Sequence, residues 1–172
     1  MSKLKPEVTE KDHAQGKQDA PIIIVEYGDY QCPYCGDAYP IVKEIEETFG
    51  DQINFVFRNF PLQEAHPFAF PAARAAEAAG LQGKFWEMHD ALYENQYRLD
   101  EDLFDELAET IGLDIEKFQA DSTNAEVKQK VEDDFESGVR SGVNGTPSFY
   151  VNGNKFDGAA TDLYQMLKES TE

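Results

Sequence analysis

The sequence predicts an α/β fold, and three observations predict it. A short β-branched apolar run, Ile22 to Val25, is followed after Gly28 by a helical period that begins at Pro33. The stretch from about residue 63 to 141 carries helical signals only. Strand signals then return at Ser148 to Val151, with the turn pair Asn152-Gly153 leading into Lys155-Phe156. A sheet begun early and completed late implies that the helical stretch is an insertion within one domain covering residues 1–172. A chain of 172 residues can bury one substantial core, and nothing in it suggests a second independent one.

Taken in order, residues 1–19 are expected to form a mobile or loosely docked arm, with a turn at His13 to Gly16. Ile22 to Tyr27 is the first core strand. From Pro33 the residues Tyr39, Val42, Ile45, Glu46 and Phe49 recur at spacings of three and four, and Gly50 stops the helix where a left-handed residue is wanted. Pro40 should kink this helix rather than end it, because the apolar period resumes at Ile41 and Val42. Ile53 to Arg58 is the second strand, set parallel to the first by a right-handed crossover. Helices follow over His66 to Ala79, Phe85 to Asn95, Glu101 to Ile111, Ile115 to Gln119 and Asn124 to Ser141, with Asp100, Asp114 and Thr123 as caps. Thr161 is placed to cap a last helix that runs through Lys168.

Charge narrows the functional classes. With 34 acidic residues against 15 Lys and Arg, the formal charge is −19, which argues against nucleic acid and anionic membrane surfaces as partners. A solvated acidic surface accounts for it without naming a partner. No apolar run reaches the ~20 residues of a membrane span, and the polar N-terminus lacks the apolar core of a leader. As written, the chain is expected in the cytoplasm; removal of a leader would make it periplasmic or extracytoplasmic.

Chemistry concentrates at Cys32-Pro33-Tyr34-Cys35, which hold both cysteines of the chain. A helix N-terminus offers unpaired amide N–H groups and roughly +0.5 of a charge. A thiolate on Cys32 can accept those groups, so its pKa should fall below the ~8.5 of a free cysteine. Pro33 suits the first turn, where its missing N–H goes unused. Cys35, one turn on, can close a small disulfide ring but points inward, which makes Cys32 the exposed nucleophile and Cys35 the resolving thiol. A zinc site would need four ligands, and His13, His66 and His89 show no ligand spacing. An inert structural disulfide is the other alternative, although so short a ring constrains an unfolded chain little. His13 is expected at the surface, His66 and His89 in helix packing, and Asp29 and Tyr34 as loop and rim residues beside the nucleophile.

Three segments, EYGDYQCPYC, HPFAFPAARAAEAAG and GVNGTPSFYVNG, occur in an order that resembles thioredoxin-fold proteins, most closely the DsbA-like disulfide oxidoreductases. The resemblance covers the chain from about Asp19 onward. It implies a thioredoxin-like βαβ…ββα fold with a helical insertion, and thiol–disulfide exchange with protein or peptide thiols and a redox partner. It implies no metal, no organic cofactor and no membrane insertion, and a monomer is expected. The acidic position matching Glu26 lies under the active site in the family and helps move the proton of the buried cysteine; a buried carboxyl has a raised pKa suited to that task. Alternatively, the Glu26 side chain reaches solvent at the strand end. The resemblance also implies that Thr146-Pro147 is cis and that Pro33, Tyr34, Thr146 and Pro147 meet substrate, whereas an ordinary trans proline could equally open the strand. A non-catalytic redox-sensing interaction module, using the same cysteine pair as a switch, is the reading from another class. The chain departs from the strong oxidants of the family at Tyr34, where those enzymes place a histidine. Without that imidazolium, the expected Cys32 pKa is about 4.5–6.5 and the reduction potential roughly −150 to −230 mV.

Overall fold

In the computed structural model, which describes residues 2–171, β1 (His13–Gly16) and β2 (Ile22–Gly28) precede α1 (Pro33–Phe49) and β3 (Ile53–Asn59). The helices α2 (Ala69–Gly80), α3 (Phe85–Glu94), α4 (Glu101–Thr110), α5 (Ile115–Ser122) and α6 (Ala125–Ser141) follow. The chain ends with β4 (Ser148–Val151), β5 (Asn154–Phe156) and α7 (Ala160–Thr171). It divides into two compact units, one made of residues 1–28, 33–58 and 137–172, the other of residues 29–32 and 59–136.

The first unit holds a five-stranded sheet in the order β1-β3-β2-β4-β5. Antiparallel β2 and β4 pair Ile24 with Val151 and Glu26 with Phe149, and β4 pairs Phe149 with Phe156 of β5. The β4–β5 turn uses Asn152 and Gly153, both at positive φ, as an Asn-Gly hairpin requires. The Asn152 carboxamide also accepts the Ile23 N–H at 2.8 Å. Every residue of β3 is buried, and so are Ile24, Val25 and Tyr27 on β2 and Phe149 and Tyr150 on β4. Helix α1 continues through Pro40 and buries Cys35, Ala38, Val42, Ile45 and Phe49. It packs with α7, where the rings of Phe49 and Tyr164 lie 5.6 Å apart. Gly50, at φ 48°, ends α1 as the sequence predicts.

The N-terminal segment differs from the expected arm. His13–Gly16 is not a turn but a strand, antiparallel to β3, with His13 opposite Phe57 and Gly16 opposite Asn54. An ion pair fixes it there. Arg58 Nε donates to Asp12 Oδ1 at 2.8 Å and Nη2 donates to Oδ2 at 3.0 Å, while Nη1 donates to the Tyr27 hydroxyl at 2.9 Å. Burial opposes the guanidinium charge, but these bonds outweigh it and raise the Arg58 pKa. Further back, Leu4 is buried and its N–H donates to Gly153 O at 2.9 Å.

In the second unit α2 is buried nearly all round, because its alanines let α3, α4 and α5 approach closely. It begins at Ala69 rather than His66; Pro67 biases His66 away from helical dihedrals. Asp100 and Asp114 cap α4 and α5 by accepting the N–H groups of Leu103 and Lys117. The expected cap Thr123 gives way to Asn124, whose carboxamide accepts the Val127 N–H at 2.8 Å. At α7 of the first unit the N-terminal bond is made by Asp162, not Thr161: its carboxylate accepts the Ala159 N–H at 2.8 Å. A buried polar knot sits among the helices of the second unit. Asn59 Nδ2 donates to both Glu77 and Asp134 at 2.9 Å, and Lys130 Nζ reaches Asp134 Oδ1 at 2.6 Å. Burial pushes the Asp134 carboxyl up, Lys130 pulls it down and Glu77 adds to the rise; the net shift is upward.

Candidate active site

Cys32 directly precedes α1, and Cys35 lies in its first turn. The two cysteines are not joined in a disulfide. Cys35 is fully buried, and Cys32 is buried as well at 4% exposure, so the expectation of an exposed nucleophile at Cys32 is not met. Pro33 is exposed, and Tyr34 is 72% exposed at the start of the helix.

The segment from Asp29 to Cys32 is held by its own side chains and by groups from well beyond it. The Asp29 carboxylate, itself buried, accepts the Gln31 N–H at 2.7 Å and the Cys32 N–H at 3.1 Å through Oδ1. Its Oδ2 accepts the Leu62 N–H at 2.9 Å and lies 2.8 Å from His66 Nδ1. The Gln31 carbonyl oxygen Oε1 accepts the Phe68 N–H at 2.7 Å. Gln96 Nε2 donates to the backbone oxygens of Tyr30 and Cys32 at 2.9 and 2.8 Å. The Tyr30 hydroxyl meets His89 Nδ1 at 2.9 Å, and its ring lies 4.9 Å from that of Tyr93. Asp29, Gln31, His66, His89 and Gln96 are therefore part of the loop's support, and none was singled out for it by the sequence. One signal was local: an aspartate bonding the N–H two residues on is an Asx turn.

Of the remaining predicted site residues, Glu26 lies on β2 with 3% exposure, which removes the alternative in which it reaches solvent. Beside it, a Cβ added to Gly28 would stand 2.5 Å from the Phe57 ring and 2.9 Å from Glu26 Oε2, so glycine is needed for this close approach. Thr146 and Pro147 are half-buried just before β4, and the peptide bond between them is cis.

The thioredoxin family model matches residues 8–168. Among solved structures, a thioredoxin-like oxidoreductase from Silicibacter pomeroyi superposes with a TM-score of 0.81 at 28% identity, covering 95% of this chain and 94% of that one. BdbD from Bacillus subtilis, in its oxidised form, gives 0.80 at 27% identity, over 92% and 90% of the two chains. The chain belongs to the thioredoxin family, and its structural neighbours are DsbA-like thiol–disulfide oxidoreductases.

A different kind of relative corrects the compartment. The Na(+)/H(+) antiporter NhaA 1 of Mycolicibacterium vanbaalenii is 43% identical over 157 residues, which are 90% of this chain and 25% of that protein. The chain thus spans about a quarter of the length of the curated relatives it matches. These relatives are membrane proteins by name, and the expectation of a cytoplasmic protein is not sustained. A polar N-terminus carries no information on compartment when the matching region is part of a longer membrane protein. Among the described residues, no helix is long and apolar enough to cross a membrane.

Proposed function

We propose that this chain exchanges disulfides with protein or peptide thiols through Cys32 and Cys35. The observation that carries the reading is the placement of Cys32 at the threshold of α1 with Cys35 buried in the next turn. In the oxidising direction a substrate thiolate attacks Cys32 Sγ. The Cys32–Cys35 bond breaks, its electron pair leaves on Cys35, and that thiolate takes up a proton. A second substrate thiolate then attacks the substrate sulfur of the mixed disulfide, which forms the product disulfide and releases Cys32 as a thiolate. In the reducing direction Cys32 attacks a substrate disulfide and Cys35 resolves the intermediate. Glu26 carries the Cys35 proton, and Pro33, Tyr34, Thr146 and Pro147 receive the substrate backbone and side chains.

Turnover of a dithiol peptide and of a model disulfide in glutathione buffer tests the reading. Cys32→Ser should abolish exchange, while Cys35→Ser should accumulate mixed disulfides. A Cys35→Ser protein that turned over near the parent rate would sink the two-cysteine mechanism. A parent protein that reacted once and stopped would be a redox sensor instead.

A further inference from the structure

The dipeptide between the cysteines has no histidine, yet the fold brings one to the same loop from a distance. His66 Nδ1 sits 2.8 Å from Asp29 Oδ2, on a carboxylate with 0% side-chain exposure; the imidazole itself is 20% exposed. Both Asp29 oxygens already accept backbone N–H groups, so the carboxylate acts as the acceptor in this contact and the ring nitrogen as the donor. The opposite oxygen, Oδ1, holds the Cys32 N–H at 3.1 Å, and the Asp29 backbone oxygen accepts the same N–H, also at 3.1 Å.

Two consequences follow for Cys32. Its own amide is committed to Asp29 and does not serve its thiolate. A negative carboxylate also stands one hydrogen bond from its backbone, and like charge disfavours thiolate formation. The donors on Oδ2, His66 and the Leu62 N–H at 2.9 Å, draw that charge toward the far oxygen. Tyr30 and His89, joined to each other, are further titratable groups bonded in this loop, and Gln31 and Gln96 contribute neutral amides.

We infer that His66 is a positioning residue for the nucleophile: by donating to Asp29 Oδ2 it fixes the carboxylate that holds the Cys32 amide, and it offsets the charge that would otherwise oppose Cys32 ionisation. The inference rests on the exchange chemistry proposed above and adds the residue that tunes it. His66 acts through Asp29, whose other oxygen accepts the Cys32 N–H.

The test titrates thiolate absorbance against pH in the Cys35→Ser protein, where Cys32 is the only thiol. His66→Ala should raise the Cys32 midpoint by about one pH unit, the lower end of what a neighbouring charge produces. His66→Asn, whose Nδ2–H stands as far from the backbone as the His66 Nδ1–H, should recover at least half of that shift. In an Asp29→Asn background, His66→Ala should leave the midpoint where it was. An unmoved midpoint in His66→Ala, equal midpoints for His66→Ala and His66→Asn, or a shift that survives Asp29→Asn would each overturn the inference. If Asp29→Asn fails to fold, the two His66 variants still decide, because His66 is partly exposed and precedes α2. Parent turnover is scored separately. A parent without turnover counts against the exchange reading, whereas normal turnover with an unmoved midpoint counts against His66.

Discussion

At Glu26 a charged side chain occupies the middle of an apolar strand, opposite Phe149 and beside the Phe57 ring that Gly28 admits. Burying a carboxyl there has a cost that packing does not require, which is the ground for the proton-carrying role proposed for it. Glu26→Gln keeps the shape and removes the proton site. It should slow the steps that protonate or deprotonate Cys35 by roughly 10-fold or more and flatten the pH–rate profile of exchange; an unchanged profile would leave Glu26 with packing alone. Single residues were legible in the sequence where their partners were local. Cys32, Cys35 and Glu26 lie within one strand–loop–helix segment, and the pattern of that segment exposes them. Asp29 was read only as a loop residue because Leu62 and His66, which complete its coordination, lie 33 and 37 positions away. No local period reports bonds of that span.

Among the elements, β1 shows most clearly what tertiary context supplies. His-Ala-Gln-Gly has no alternating apolar pattern, and its strand form comes from the free edge of β3 and from Asp12 anchoring Arg58. Asp12→Ala would leave a buried guanidinium without its anion. Removing one partner of a buried pair costs about 3–5 kcal/mol. Urea unfolding should show a loss of that order, with faster hydrogen exchange at the β1 amides. A loss below about 0.5 kcal/mol would mean that water replaces Asp12 without penalty. The helices of the second unit were legible because their signals are local: apolar periods, and aspartates at Asp100 and Asp114 three residues before the N–H they accept. Where two capping residues stood side by side, Thr123 and Asn124, sequence alone could not rank them.

For the molecule as a whole, the charge of −19 and the buried Asp134 act on stability with the same sign. A carboxyl whose folded pKa is raised contributes stability that is complete below its unfolded pKa and is lost as pH climbs through the folded value. Repulsion among surface carboxylates also grows as they ionise. The urea midpoint should therefore fall as pH rises upward from the ordinary carboxylate range. Salt should restore the surface part of that loss, since it screens exposed charge far better than buried charge. Asp134→Asn should remove the salt-insensitive part; a variant with the parent's pH dependence in high salt would show that Lys130 keeps Asp134 ionised throughout. The α/β class and the late return of the sheet were legible at this scale, because a switch in hydrophobic period survives in the sequence. The compartment was not: the cytoplasmic expectation fell to relatives of which this chain matches only about a quarter.

The strand order has a consequence for how the chain is made. β2 is completed at Gly28, but the strand that covers one of its edges, β4, begins only at Ser148. On a ribosome, every helix from α2 to α6 emerges in that interval. The nascent chain carries an open apolar strand edge while those helices are made, the kind of edge that recruits strands from other chains. Mutual repulsion between acidic nascent chains works against that recruitment until the C-terminal hairpin arrives and closes the gap.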